Sequence, residues 1–174
     1  MALTRYWLAA IVAILMSTDI AFAQDQQAKT FLTDAIEGNF AEVQMGQLAQ
    51  KNGANQGVRS FGQLLEQDHG QANQKARTAA NAMQVPSPTQ PNSKQKADYE
   101  RLSKLNGPAF DSEFADHMVK DHEEDIEKYE KAATMTNAAG TYAKEVLPTL
   151  RKHLETAQSL KSATTGAGGG GARK

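Results

Sequence analysis

Apolar residues recur at intervals of three and four along most of the chain, the spacing that places them on one face of an α-helix. Residues that favour helices are plentiful between the two termini, and runs of β-branched residues are absent. Turn signals divide this pattern at Asn52-Gly53, in the proline-rich stretch 85–92 and at Asn106-Gly107. The pattern therefore predicts helices over residues 25–51, 55–83, 94–105, 108–135 and 138–162.

Four of these predicted helices are long, and the third, over 94–105, is short. Short connections follow residues 51 and 135, so the two helices on either side of each connection are expected to lie antiparallel. The sequence thus predicts an all-α fold, an antiparallel four-helix bundle (ferritin-like) with one extra short helix in the connection between the second and third long helices. That connection either crosses the length of the bundle or makes a bulky turn, and the sequence leaves both paths open.

The start of the chain has the order of features typical of a secretory signal peptide. Arg5 supplies a positive charge, the run Trp7 to Met16 is apolar, and Ala21-Phe22-Ala23 is a small-residue cleavage sequence. The apolar run is short for a membrane span, which needs about 20 residues. We expect a signal peptide at 1–23, a four-helix domain at 24–163 and a flexible glycine-rich tail at 164–174. The mature protein would be periplasmic or secreted and have no transmembrane segment; an uncleaved membrane anchor is the alternative.

Charge and cysteine content exclude several classes of function. The chain has 19 basic and 20 acidic side chains and a formal net charge of -1, which argues against a nucleic-acid-binding protein with its basic face. The absence of cysteine excludes disulfides, thiolate metal ligands and c-type haem attachment. No nucleophile–base set or phosphate-binding loop stands out, so the sequence favours a protein that is not an enzyme.

Each of the four long helices places one residue that can bind a metal on its apolar face: Glu42, His69, His122 and His153. Buried polar groups need partners because desolvation costs several kcal/mol, and meeting in the core would satisfy all four. The three histidines lie near the middle of their helices, whereas Glu42 lies ~7 Å from their level at 1.5 Å per residue. Three imidazoles and a carboxylate suit zinc, copper, iron or manganese. Haem between two facing histidines is the less favoured cofactor.

Glu66-x-x-His69 has the spacing of the carboxylate–histidine motif of di-iron bundles. The residues three positions before His122 and His153 are apolar, so a second copy of the motif is absent from these helices. This absence favours a histidine-rich site over a di-iron centre. Three aspartates near these histidines are candidates for orienting the imidazoles: Asp68, Asp121 and Asp125.

Two other functions compete with a metal-binding protein. The four buried side chains would equally suit a polar network that fixes helix register in a non-enzymatic envelope or stress-associated protein. A redox enzyme with a di-metal or haem centre is the third reading, and the missing second motif counts against it.

Taken together, several stretches resemble a bacterial family of exported proteins of unknown function, related to ferritin-like bundles and often labelled as outer-membrane or periplasmic proteins. The resemblance covers roughly residues 28–160. The matching stretches are Phe31 to Ala49, Asp68-His69, Phe110-Asp111, His122, and Leu147-Pro148 with His153. The resemblance implies a four-helix bundle and export. It implies no substrate, because the family's biochemical role is not established, and the residues themselves give no support to an outer-membrane location.

Overall fold

A computed structural model describes the backbone of residues 4–167 and the side chains of residues 24–164. The described residues form five helices and no strand: Thr4–Asn52 (α1), Gln56–Ala82 (α2), Ser93–Ser103 (α3), Gly107–Ala133 (α4) and Ala138–Ala167 (α5). The expected all-α class is confirmed, as is the order of two long helices, a short one and two further long ones. Most bounds agree with the periodicity to within two residues, and the exceptions are the start of α1 and the end of α5.

Helix α1 begins inside the predicted signal peptide, with which it is continuous in the full chain. The side chains of residues 1–23 and most of the predicted tail, 168–174, lie outside the described residues. Cleavage near Ala23 and the flexible tail therefore stay predictions. Among the described residues, no helix offers a stretch with both the length and the hydropathy that crossing a membrane requires.

The backbones of α1 and α2 approach closely where Gly46 faces Gly62. A Cβ atom added to Gly62 would lie 2.5 Å from the carbonyl oxygen of Gly46, and backbone atoms cannot move aside, so a larger residue is excluded. About two turns away on each helix, Asn39 of α1 lies against His69 of α2. The glycine contact thus sets the register between the two helices and the height at which His69 enters the core.

The connection from α2 to α4 returns along α1 to the opposite end of the molecule. Asn92, the N-cap of α3, donates to Glu37 of α1 at 3.3 Å, and Asn52 at the end of α1 donates to the Leu105 carbonyl at 2.7 Å. Asp111 in the first turn of α4 then accepts from the backbone amides of the α1–α2 turn at 3.0 and 2.8 Å. Of the two paths left open by the sequence, the connection takes the one that crosses the molecule.

The core consists of two apolar clusters with a polar layer between them. The first cluster includes Phe31, Ile36, Tyr142 and Leu150. The second includes Met45, Leu65, Phe114 and Met118. On each long helix, buried polar residues lie between the segments that contribute to the two clusters: Asn39, Glu42, His69, His122 and His153. The molecule thus places most of its costly buried polar groups near one height, whereas Asp111 is buried at the end of the molecule, where it bonds to the α1–α2 turn.

Candidate metal centre

Three histidines from three different helices meet in the polar layer. His69 of α2, His122 of α4 and His153 of α5 are 4%, 1% and 1% exposed. Their ring centroids are 5.8, 5.3 and 5.4 Å apart, which makes the trio nearly equilateral. One potential ligand atom from each lies within 4.8 Å of the other two. We call this trio the histidine centre.

One nitrogen of each ring is held by a fixed acceptor, which determines where the ring proton lies. His122 donates from Nδ1 to the Met118 carbonyl at 2.9 Å. His153 donates from Nε2 to the Asp68 carboxylate at 2.9 Å. His69 donates from Nδ1 to the Asn39 side-chain carbonyl at 2.9 Å. None of these acceptors has a proton to donate, so each ring supplies the proton of its own hydrogen bond. The other nitrogen of each ring is therefore unprotonated.

The second nitrogen of each ring therefore has a lone pair that is free to bind a cation. These atoms are Nε2 of His69, Nε2 of His122 and Nδ1 of His153, and each is buried without a hydrogen-bond partner among the described groups. A buried acceptor that lacks a donor costs about 1–3 kcal/mol. Three such acceptors in touching rings form a donor set that a cation can satisfy, whereas the imidazoles cannot satisfy one another.

Burial keeps all three imidazoles neutral. Desolvation lowers the pKa of His69 well below its ordinary value, with further lowering by the neighbouring His122 and His153. Desolvation lowers the pKa of His122 to about 4, and His153 adds to this effect. Desolvation also lowers the pKa of His153, although Asp68 opposes the shift. At neutral pH the rings are in the state that binds metal.

A chain of hydrogen bonds fixes the ring of His69. The amide nitrogen of Asn39 donates to the hydroxyl of Tyr142 at 2.9 Å, so the carbonyl oxygen of Asn39 faces His69. The hydroxyl of Tyr142 in turn lies 2.9 Å from that of Tyr129. The sequence analysis did not identify Asn39 or Tyr142. The signal that would have found Asn39 is a polar residue on the buried stripe of α1, half-way between its two apolar segments.

Glu42 is buried in the same layer, at 2% exposed, but it is not among the ligand atoms that lie within 4.8 Å of one another. Its carboxyl group hydrogen-bonds to Asp121, and desolvation followed by the charge of Asp121 raises the pKa of Glu42 well above its ordinary value. The Oε2 atom of Glu42 has no hydrogen-bond partner among the described groups. That Glu42 is a ligand stays a prediction.

The remaining candidates take different places. Asp68 orients His153, as described above. Desolvation and the charge of Asp121 raise the pKa of Asp125 to about 6, and Asp125 pairs with Lys128 at 2.9 Å. Glu66, the acid of the predicted di-iron spacing, faces α1 and accepts from Gln47 and Gln50, both at 2.8 Å. The Glu66-x-x-His69 motif thus directs its carboxylate towards α1.

The fold and the histidine centre define an all-helical protein with a buried, histidine-rich polar layer. Residues 16–160 match the family described as a domain of unknown function, DUF4142, and the protein belongs to this family. This match confirms the resemblance seen in the sequence to a bacterial family of unknown function. No curated protein matches the chain.

Two crystal structures of DUF305 proteins have a similar fold. A DUF305 fragment from Deinococcus radiodurans gives a TM-score of 0.69 at 12% identity, over 79% of this chain and 96% of that one. A DUF305 protein from Streptomyces coelicolor, whose description proposes that it is secreted, gives a TM-score of 0.65 at 10% identity, over 79% and 94%. At these identities the likeness establishes the fold alone.

Proposed function

We propose that this protein binds one transition-metal ion through His69, His122 and His153. The observation that carries the proposal is the set of three neutral, buried imidazoles whose unpartnered nitrogens come from touching rings. A purely structural network would be expected to pair its buried acceptors, because unpaired ones are rare in stable cores. The role is binding or handling of the metal rather than catalysis.

Three imidazoles favour zinc, copper or iron over manganese, which prefers carboxylate and water ligands. Zinc is the first choice, because three histidines and one open position form one of its common arrangements. Zn–N bonds of 2.0–2.1 Å would place the ligand nitrogens roughly 3.4 Å apart, so binding needs only a small closing movement of the rings. Asp68, Asn39 and the Met118 carbonyl would fix the rings from outside.

The finer features of the fold and the location belong to the same proposal. We propose that the four long helices form an antiparallel, ferritin-like bundle, supported by the packing of α1 on α2 and α4 on α5 and by the connection that crosses the molecule. We also propose export, with cleavage near Ala23 and a periplasmic or secreted mature protein. The signal-like sequence at 1–23 supports export, as does the description of the Streptomyces coelicolor protein.

Metal analysis of the untagged mature protein tests the proposal. We expect about one equivalent of metal per chain, and removal by a chelator should lower the melting temperature. Readdition of zinc at about 100 times its Kd should restore about 2.7 kcal/mol, which is about 5–10 °C for a domain of this size. Copper, iron and manganese are tested in parallel. If the protein holds no metal and none of the four ions raises the melting temperature, the polar layer is a structural network instead.

Replacing Tyr142 with phenylalanine should weaken zinc binding without removing a ligand. The change removes the hydroxyl that holds the amide nitrogen of Asn39, so Asn39 can rotate and His69 loses its fixed ring proton. We expect affinity to fall about tenfold, the lower end of the range for residues that orient metal ligands. Competition with a chromophoric chelator measures the change. Tyr99→Phe on α3 removes a hydroxyl elsewhere and should leave the affinity unaltered; equal affinities in both variants would exclude the positioning role.

A further inference from the structure

A large cleft lies between α1 and α4, with α3 and the turn before α5 at its edges. Its volume is about 1340 Å³, and it is lined by residues 24–45 of α1, 92–98 around α3, 117–132 of α4 and the turn 134–137. The cleft reaches the polar layer, because Glu42 and Asp121 line it and the residue after Asp121 is His122.

Acidic side chains dominate the charges that line this cleft. The acids that contribute charge are Asp34, Asp98, Asp121, Glu124 and Asp125, against the lysines Lys94, Lys128 and Lys131, whereas burial raises the pKa of the sixth acid, Glu42. Lys128 and Asp125 pair at 2.9 Å, which cancels one charge of each sign. A cleft with an excess of one charge and low-dielectric walls concentrates ions of the opposite charge. Cations are therefore enriched next to the wall behind which the histidine centre lies.

The inner end of the cleft holds a carboxyl group that the fold itself leaves incompletely bonded. Glu42 is 2% exposed, its Oε2 atom has no partner among the described groups, and its other contact is the hydrogen bond with Asp121. A carboxyl group buried in this way is costly unless something compensates for its desolvation. A cation that passes between Glu42 and Asp121 would bond to oxygens of both side chains, including the unpartnered Oε2 of Glu42.

We propose that the cleft between α1 and α4 is the route by which divalent cations reach the histidine centre, and that the Glu42–Asp121 pair is the carboxylate station through which they pass. This inference rests on the proposed function, since it needs a cation that binds at the histidines. It also gives Glu42 a role that does not require its carboxylate to lie among the final ligands. The exposed Asp34 and the half-buried Glu124 attract the ion towards the cleft, and the Glu42–Asp121 pair removes part of its hydration shell.

The rate of Co²⁺ uptake tests the route. Co²⁺ can replace Zn²⁺ at nitrogen ligands and absorbs visible light when bound, so binding to the metal-free mature protein is followed directly in a stopped-flow instrument. Glutamine keeps the shape of Glu42 but offers no carboxylate oxygen to a passing cation, so Glu42→Gln should slow association about tenfold. Release should slow by a similar factor, because an ion leaves by the path it entered, and Kd should change little. The control is Glu155→Gln, the same substitution at an exposed position of α5 outside the cleft, which should leave both rates unaltered.

Raising the ionic strength gives an independent measurement. Uptake by the parent protein should slow with salt, and a triple variant, Asp34→Asn/Asp98→Asn/Glu124→Gln, should slow uptake and flatten this dependence. Equal uptake rates in Glu42→Gln and the parent would overturn the route. Faster release with a shifted absorption band would overturn it too, because Glu42 would then be a ligand of the bound ion. If the parent shows no Co²⁺ band at all, the proposed function fails and the route fails with it, whereas unaltered rates in a protein that binds Co²⁺ reject the route alone.

Discussion

Leucine in place of His122 is expected to abolish stabilisation by metal while leaving the metal-free protein at least as stable as the parent. His122 is 1% exposed, and its Nε2 atom has no partner among the described groups. Its Nδ1 atom bonds only to the Met118 carbonyl of its own helix. Leucine removes a buried acceptor that costs about 1–3 kcal/mol and fills much of the same volume. The metal, however, loses one of three ligands.

Thermal unfolding with and without zinc measures both effects. If the affinity falls at least 100-fold, the gain of about 2.7 kcal/mol in the parent drops below about 0.5 kcal/mol in the variant. His117→Leu is the matched control, because His117 lines the cleft and is not part of the histidine centre. It should keep the full response to zinc. A His122→Leu protein that still gains stability from zinc would contradict the proposed ligand set, and one that unfolds without metal would show that His122 holds the core together by itself.

Metal binding is expected to persist in mild acid, where exposed histidine sites fail. Ligand histidines must be neutral, and exposed ones with a pKa near 6.5 are only about 10% neutral at pH 5.5, so three together would weaken binding by about 10³. Here burial lowers the pKa of His69 and His153 and lowers that of His122 to about 4. His122 is thus almost wholly neutral at pH 5.5, and the lowered pKa values of His69 and His153 act in the same direction, so the loss of affinity should stay well below about 10³.

The same shifts act on the metal-free fold in the opposite sense. A histidine whose pKa is lower in the folded than in the unfolded state stabilises the fold above its unfolded pKa, and this contribution is lost as the pH falls. For His122 the window runs from about pH 6.5 down to about 4. The acid resistance of metal binding is measured as the ratio of the zinc Kd values at pH 5.5 and 7.5, with a peptide of three exposed histidines as reference. If zinc affinity fell about a thousandfold in the protein as well as in the peptide, the rings of the protein would have to be accessible to solvent.

Periodicity predicted the helices because each long helix carries a clear apolar stripe, and the same stripes placed His69, His122 and His153 in the core. Their proximity follows from their mid-helix positions, since mid-points meet whichever way the connection runs. That they hold a metal is still a prediction. The direction of the connection depends on contacts such as Asn52 with Leu105, which join residues far apart in sequence and leave no periodic signal.

The partners of the histidines were harder to predict than the histidines themselves. Asn39 faces His69 only because the contact of Gly46 with Gly62 fixes the register of α1 on α2. The Glu66-x-x-His69 spacing matches that of a di-iron motif. In the structure, however, Glu66 faces the glutamines of α1. A motif indicates roughly which residues share one face of a helix. Whether two side chains on different helices bond depends on the angle between those helices, which a single sequence does not give.

The histidine centre joins two halves of the molecule that the chain connects only through the segment around α3. His69 comes from the α1–α2 pair, and His122 and His153 come from the α4–α5 pair. A cation held by all three would act as a non-covalent cross-link between these halves. Loss of the cation would weaken the packing of one helix pair on the other before it weakened either pair. Whether the metal is bound would therefore determine how readily the two pairs separate.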